Sequence, residues 1–355
     1  MLKWSAAHVR SVAFVTVRIL LASPGMALGG AERVVLALAH GLAERGHEVA
    51  VSGAAGPLDA DLRARRLVLP ERGRSPLGVV EWTARQAAFV RAFRPHVVHA
   101  HNTKATVIAS AAVRIARGPR RPPVLATHHG AAQEDRSRAA RLLARAADEV
   151  VVVSDDLRFG DAHVIHNGVA PPVATPRGDG VTVAFVGRLV EVKNPERFLR
   201  AAALVRGARF LVVGDGPLRA QLEALAAQLR LDVTFTGAVP DARAMIAGAD
   251  VMVVSSDSEG QSIATLEALA AGTPVVSTPV SGMTGLLGGG AGTIVSDFAP
   301  ETLATAIDAL VQDPTQRTRM GAIGAKLVRE HYSADVMVDA YERRYRALTP
   351  TMTSS

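Results

Sequence analysis

The sequence predicts an α/β protein made of two doubly wound parallel sheets. Three observations carry this. Short apolar runs alternate with stretches of helical spacing along the chain, which is the pattern of β–α–β units. The alternation breaks once, at 168–180 (GVAPPVATPRGDG), a Pro- and Gly-rich segment that reads as a linker. At 355 residues, 48% of them apolar, the chain is long enough for two cores.

In the first half, strands are expected near 17–22, 48–52, 96–101, 124–128, 148–153 and 163–166, with helices near 31–45, 81–93, 104–117 and 136–147. The first strand runs into Gly29 and Gly30, and a double glycine lets backbone come close to a ligand. The helix that follows has apolar Val34, Val35, Leu38 and Leu42 at helical spacing, and Gly46 is its natural stop. Gly25, Gly29 and Gly30 do not fit G-x-G-x-x-G, which argues against a dinucleotide-binding oxidoreductase. In the second half, strands are expected near 181–186, 208–213, 232–236, 251–255 and 274–278, with helices between them, and 332–348 reads as a last helix. The Gly-rich stretch 282–292 reads as a mobile surface loop. Residues 1–14 read as a loose extension, or a start placed too early, rather than an export signal. No apolar run reaches 18 residues, so no transmembrane helix is expected.

The net charge of +7 comes from arginine, since the chain has four lysines beside thirty-six arginines. Aromatics are only 4% and no basic recognition element is visible, so nucleic acid is not an expected partner. The absence of cysteine excludes disulfides and thiolate metal sites. Arg136, Arg138, Arg141 and Arg145 on one helix, and Arg63, Arg65, Arg66, Arg72 and Arg74 in a second stretch, are candidates for contact with an anionic membrane surface. Solvated arginine is the plain alternative.

Two segments carry the chemistry. In SSDSEGQSIATLEALAAGTPVV, a buried strand ends in a turn containing Glu259 and Gly260, followed by a helix at 262–271 that contains Glu267. The helix start favours an anion, while the carboxylates suit sugar and ribose hydroxyls. In VTVAFVGRLVEVKNPERFLR, a strand leads through Gly187 to Arg188 and Lys193, two cations able to clamp a diphosphate. His96, His99 and His101 in PHVVHAH raise a metal site, against which stands a strand end with satisfied imidazoles. His128 and His129 close the strand VLATHH, and Glu134 and Asp135 lie in the loop beyond it.

The order GGAER, GLAERGHEV, PHVVHAH, THHG, VVVSDDL, VIHNGV, VGRLVEVKN, VVGDGPLR, TGAVP, SEGQSIATLEALAAGTPVV resembles the retaining GT-B glycosyltransferases of family 4 (glycosyl transferases group 1), over roughly 17–295. The resemblance implies two Rossmann-like domains facing across a cleft. An acceptor-binding domain would span 1–172, and a nucleotide-sugar donor domain 178–331. The helix at about 332–348 would return to the first domain.

It implies that Arg188 and Lys193 bind the donor diphosphate, Glu267 the ribose and Glu259 the sugar hydroxyls. Backbone after Gly260 and at Ala238, Val239 and Pro240 would serve the sugar, phosphate or base, and Gly29 and Gly30 would line the opposite wall. The cleft histidine of the family corresponds to His128 or His129, with a slight preference for His129 directly before Gly130. Gln261 and Ser262 depart from the usual aromatic or Leu followed by Gly or Pro, and could bond a differently substituted sugar. The usual Asp after NGV is Ala170.

The implied activity is transfer with the anomeric configuration kept, without a protein nucleophile, metal or other cofactor. The acceptor would be a carbohydrate or a lipid-linked molecule in envelope, polysaccharide or glycolipid assembly. The place of work would be the cytoplasm or the inner face of the cell membrane. Asp59-x-Asp61 has the spacing of a metal-binding triplet but lies in the first half, and Asp257-x-Glu259 is the nearest approach in the second. A sugar-nucleotide epimerase of the same fold and a silent nucleotide- or sugar-binding module are the other readings.

Overall fold

The structure is a computed structural model that describes residues 16–70, 75–116, 121–130 and 136–349. The expectations for 1–14, Arg72, Arg74, Glu134 and Asp135 lie outside the described residues. In chain order the first half runs β1 (Arg18–Gly25), α1 (Gly30–Glu44), β2 (Glu48–Ala54), β3 (Arg65–Leu69), α2 (Pro76–Phe93), β4 (Val97–His101), α3 (Thr103–Ala116), β5 (Val124–His128), α4 (Arg136–Ala146), β6 (Glu149–Val152) and β7 (His163–Val164). The second half runs β8 (Val181–Val186), α5 (Pro195–Ala202), β9 (Ala208–Val213), α6 (Arg219–Gln228), β10 (Val233–Gly237), α7 (Arg243–Gly248), β11 (Val251–Val254), α8 (Ile263–Ala270), β12 (Val275–Ser277), α9 (Thr284–Leu287), β13 (Gly292–Ile294), α10 (Pro300–Gln312), α11 (Pro314–His331) and α12 (Ala334–Leu348).

The seven-stranded sheet has the order β3-β2-β1-β4-β5-β6-β7, and the six-stranded sheet β10-β9-β8-β11-β12-β13. Every pairing within them is parallel. In both sheets the strand order reverses at the same place, between β1 and β4 and between β8 and β11. Such a switch point opens a crevice at the carboxyl ends of the strands.

Parallel strands covered on both faces read as continuous apolar runs. Ile19, Leu20 and Leu21 of β1 are fully buried, as are Val183 and Ala184 of β8. One apolar cluster joins the halves, taking in Val34 and Leu38 of α1, Ile263 and Leu266 of α8, and Met337 and Tyr341 of α12. The last helix packs on the first half. Its Val338 sits where a side chain at Gly41 of α1 would stand, 2.7 Å from an ideal Cβ. Arg344 donates to Glu149 through Nε at 2.6 Å and an Nη at 2.5 Å.

Two expectations need correction. The segment around Arg65 and Arg66 is the edge strand β3, and Arg66 is no free cation. Its guanidinium donates to Asp59 at 2.7 Å and to the carbonyls of Leu67 and Ala54, each at 2.8 Å. The stretch 282–292 is not a mobile surface loop. It folds into α9 and leads into β13, with Met283, Leu286, Leu287 and Ala291 buried. Its glycines read as a loop because local composition does not reveal the packing that requires them. Gly282 lies at φ +79, and a Cβ there would stand 2.1 Å from the carbonyl oxygen of Gly260.

Candidate functional site

The two switch points face each other across a cleft of about 550 Å³. Its walls are built from strand ends. Gly29 and Gly30 follow β1, Asn102 follows β4 and His129 follows β5, while Gly187 and Arg188 follow β8 and the turn at Glu259 follows β11. Of the residues nominated from sequence, Gly29, Gly30, His129, Gly187, Arg188, Lys193, Val239, Glu259, Gly260, Gln261, Ser262 and Glu267 line this cleft. His128 does not; it is the last residue of β5 and is buried.

Lys193 is placed by local chain chemistry. Asn194 adopts φ +43 and caps α5 by accepting from Arg197 N at 3.1 Å, with Pro195 opening the helix. The hydroxyl of Ser255, just past β11, donates to the carbonyls of Lys193 and Asn194 at 3.2 and 2.9 Å. The two loops are thereby locked together, and Lys193 Nζ donates to Glu259 Oε1 at 2.5 Å. Ser256 Oγ donates to the same oxygen at 2.7 Å. Arg188 is exposed and takes part in no ion pair among the described residues. Ser262 caps α8 by accepting from Thr265 N at 3.2 Å.

Glu267 is largely withdrawn from solvent: its side chain is 9% exposed, with Arg33 Nη1 at 3.8 Å. Desolvation raises its carboxyl above the usual range, and the pull of Arg33 in the other direction is smaller. Glu32, in the opposite wall, is also raised by burial and is drawn back by Arg188. Arg33 spans the cleft, donating to the carbonyl of Pro240 at 2.7 Å.

The walls approach most tightly at Gly260. A Cβ on Gly260 would lie 2.3 Å from the carbonyl of His129, so only glycine fits there. Beside it, Gln261 Oε1 accepts from Asn167 N at 2.6 Å, and Asn167 Nδ2 donates to the Gln261 carbonyl at 3.3 Å. The Gln261 amide, nominated as a reader of the donor sugar, is thus engaged with the other half of the molecule.

The histidines at the ends of β4 and β5 form a cluster. His99 is held by Tyr345 and Thr127, His101 meets His129, and His96 lies apart, accepting from Arg18 N at 3.0 Å. Among the described residues no group of three or more His, Asp or Glu is arranged to hold a metal ion. Sequence reasoning missed Glu32, Arg33, Asn102, Asn167 and Asp215, which also line the cleft. Glu32, Arg33, Asn167 and Asp215 lie inside motifs quoted above (GGAER, VIHNGV, VVGDGPLR) and Asn102 directly follows PHVVHAH, so membership of those motifs was the available signal.

Two like-wound sheets facing across a cleft, with a last helix packed back on the first, are the GT-B fold. Solved structures agree. HepE of Anabaena in complex with UDP-glucose is 20% identical with a TM-score of 0.82, covering 93% of this chain and 100% of that one. Sucrose-phosphate synthase from Thermosynechococcus elongatus is 22% identical with a TM-score of 0.80, covering 95% and 100%. Residues 28–173 match Glycosyltransferase Family 4, and residues 180–313 match Glycosyl transferases group 1. The chain belongs to the family 4 (group 1) glycosyltransferases. Among curated relatives, the lipopolysaccharide core biosynthesis glycosyltransferase LpsE of Rhizobium meliloti (strain 1021) is 34% identical over 46% of this chain and 49% of its own. The D-inositol 3-phosphate glycosyltransferase of Mycobacterium marinum (strain ATCC BAA-535 / M) is 32% identical over 76% and 61%. The chain thus spans about half to three-fifths of the length of these relatives.

Proposed function

We propose that the chain transfers a sugar from a nucleotide-sugar donor to an acceptor hydroxyl and keeps the anomeric configuration. The observation that carries this is the charged wall of the cleft. Arg188, Lys193, Glu259 and Glu267 converge there from the ends of β8 and β11 and from α8. An ammonium has three donors, and one serves Glu259; the others are available to a diphosphate. Glu259 takes sugar hydroxyls and Glu267 the ribose. The glucose and UDP named in the complex of the similar HepE support a donor of this class.

In the reaction, the acceptor oxygen bonds to the anomeric carbon on the face that the diphosphate leaves. The carbon–oxygen bond to the diphosphate breaks, and the acceptor proton passes to a donor phosphate oxygen. Arg188 and Lys193 stabilise the charge that grows on the leaving group. No metal is needed, since these two cations supply the counter-charge.

The acceptor is a carbohydrate or lipid-linked molecule of the cell envelope, as the name of LpsE supports. The protein works in the cytoplasm, at the inner face of the membrane. Exposed Arg138, Arg141 and Arg145 on α4 supply an attraction of about 1 kcal/mol each near anionic lipid. Among the described residues no helix is long and apolar enough to cross a membrane.

The test is turnover of a panel of nucleotide sugars, with the product anomer read by NMR and a duplicate in excess chelator. Transfer with retention, equal in chelator, is the expected result. Inversion would overturn the stereochemical reading, a free epimerised nucleotide sugar the transfer reading, and chelator loss restored by Mg²⁺ or Mn²⁺ the metal-free reading.

A further inference from the structure

The histidines behind the cleft are arranged more closely than packing alone requires. His129 Nε2 lies 3.0 Å from His101 Nδ1, and the two rings stack with centroids 5.3 Å apart and 19° between planes. His101 in turn lies against His99, with centroids 4.1 Å apart and the rings tilted by 36°. His99 has both nitrogens engaged, Nδ1 with the Tyr345 hydroxyl and Nε2 with the Thr127 hydroxyl, each at 2.7 Å. Thr127 also meets the Tyr341 hydroxyl at 2.8 Å. Helix α12 therefore braces the stack from the side away from the cleft.

One nitrogen in this chain of contacts is left over. His101 Nε2 is buried and has no hydrogen-bond partner among the described residues. A neutral imidazole carries one N–H and one bare nitrogen. A buried N–H without an acceptor is the rarer and costlier orphan, so the His101 proton belongs on Nδ1, facing His129. Two N–H groups cannot share one hydrogen bond. His129 Nε2 is then the bare acceptor, and its proton sits on Nδ1, the nitrogen left for the cleft it lines.

The stack is uncharged. Burial holds His99 and His101 well below the usual imidazole range. His129 keeps partial exposure to the cleft, yet its desolvated surroundings and His128 push it down to about 3. Tyr341 and Tyr345 of α12 flank His99, and the titratable groups that line the cleft with His129 are Arg33, Arg188, Lys193, Glu32, Asp215, Glu259 and Glu267. A cationic ring here would repel Lys193 and Arg188, whereas a neutral donor would not.

We propose that His101 is a positioning residue: it holds the His129 ring in one orientation and one tautomer, presenting Nδ1–H as a neutral donor to a hydroxyl or phosphate oxygen of the donor. The proposal rests on the nucleotide-sugar reading above. It gives β4 a part in the site, although its histidine touches no ligand.

The experiment is long-range proton–nitrogen NMR of histidine-labelled full-length protein, with His129 assigned by the spectrum of His129→Gln. His129 is expected as the Nδ1–H tautomer, neutral from about pH 8 to about pH 5.5. His101→Leu removes the partner, and His129 should shift toward the Nε2–H form that free imidazole side chains favour in water. His101→Asn places an amide N–H near the lost Nδ1 and should keep the native tautomer. With the nucleotide sugar that the panel identifies, His101→Leu should lower kcat about 10- to 100-fold, the scale for residues that orient a functional histidine. Donor KM should stay within about threefold, and His101→Asn should recover most of kcat.

A native His129 protonated at Nε2 would overturn the proposal. So would a kcat loss in His101→Leu with the tautomer unchanged, or a His101→Asn variant no better than Leu. If His101→Leu does not fold, the native and His101→Asn spectra decide alone. If no nucleotide sugar is turned over, the function reading fails, while the spectra still judge the ring.

Discussion

On one wall of the cleft Lys193 and Glu259 meet as ions at 2.5 Å, with side chains 25% and 7% exposed. On the other wall His99 and His101 lie against each other as neutral rings with no exposure at all, and His129 joins them at the cleft. The difference follows from the cost of desolvation. A charge taken out of water must keep a partner and more hydrogen bonds, so the ion pair sits at a loop end beside open volume. Hydroxyls and neutral imidazoles satisfy one another apart from the bare His101 Nε2, so their network can be dry. The cleft therefore has one wall suited to an anionic leaving group, while the histidine network of the other, beside Glu32 and Arg33, positions without adding charge.

The sharpest way to break this contrast is Lys193→Ala. The charge it meets grows in the transition state, so kcat should fall more than donor KM rises. The expected loss is on the order of 10²–10³ in rate, or about 2.7–4 kcal/mol. Unchanged kcat in steady-state assays would leave the charged wall without a role in the chemistry.

Glu267→Ala tests the same wall at the nucleotide end. Loss of charge-assisted hydrogen bonds to the ribose should cost about 1.5–3 kcal/mol, roughly 10–150-fold in nucleotide affinity by calorimetry. A 2′,3′-dideoxy nucleotide should bind the native protein poorly but the Ala variant no worse than the normal nucleotide does. The melting temperature should not fall, because burial already disfavours the ionised carboxylate. A variant that still separates the two nucleotides as strongly as the native protein would remove the ribose assignment.

The neutral wall is tested by pH. The folded-state pKa values of His99, His101 and His129 lie below the ordinary 6.5, so the unfolded chain takes up protons first. Stability should hold above about pH 6.5 and fall below it, approaching about 1.4 kcal/mol per pH unit for each such histidine until the folded-state pKa is reached. His47 and His96 are also lowered by burial and act in the same direction. Denaturant titrations between about pH 7.5 and pH 5.5 check this. A flat profile would mean that the rings are protonated in the folded protein.

Much of this contrast was legible along the chain for the charged wall and little of it for the neutral one. Arg188, Lys193, Glu259 and Glu267 stand in two continuous segments, each a strand, a turn and a helix start, so their chemistry and place could be read together. The neutral wall is assembled from partners far apart in sequence. Tyr345 and His99 are separated by 246 positions, and Tyr341 and Thr127 by 214. Adjacency of two histidines could not separate them either. His129 faces the cleft while His128, one residue earlier and still in β5, is buried behind it.

The sequence by itself determined the alternation of strands and helices, the linker between the halves and the cations and carboxylates at the strand ends. These follow from local causes: apolar runs that bury both faces, glycine and proline that stop them, and side chains whose chemistry does not depend on a distant neighbour. Tertiary structure alone decided that Arg65–Leu69 and Gly292–Ile294 become edge strands, since each depends on a parallel neighbour for its hydrogen bonds. It alone decided that Gln261 binds Asn167, that Arg33 crosses to Pro240, and that Gly260 must have no side chain. Each of those depends on how closely two separately wound sheets approach, a distance that no local pattern encodes.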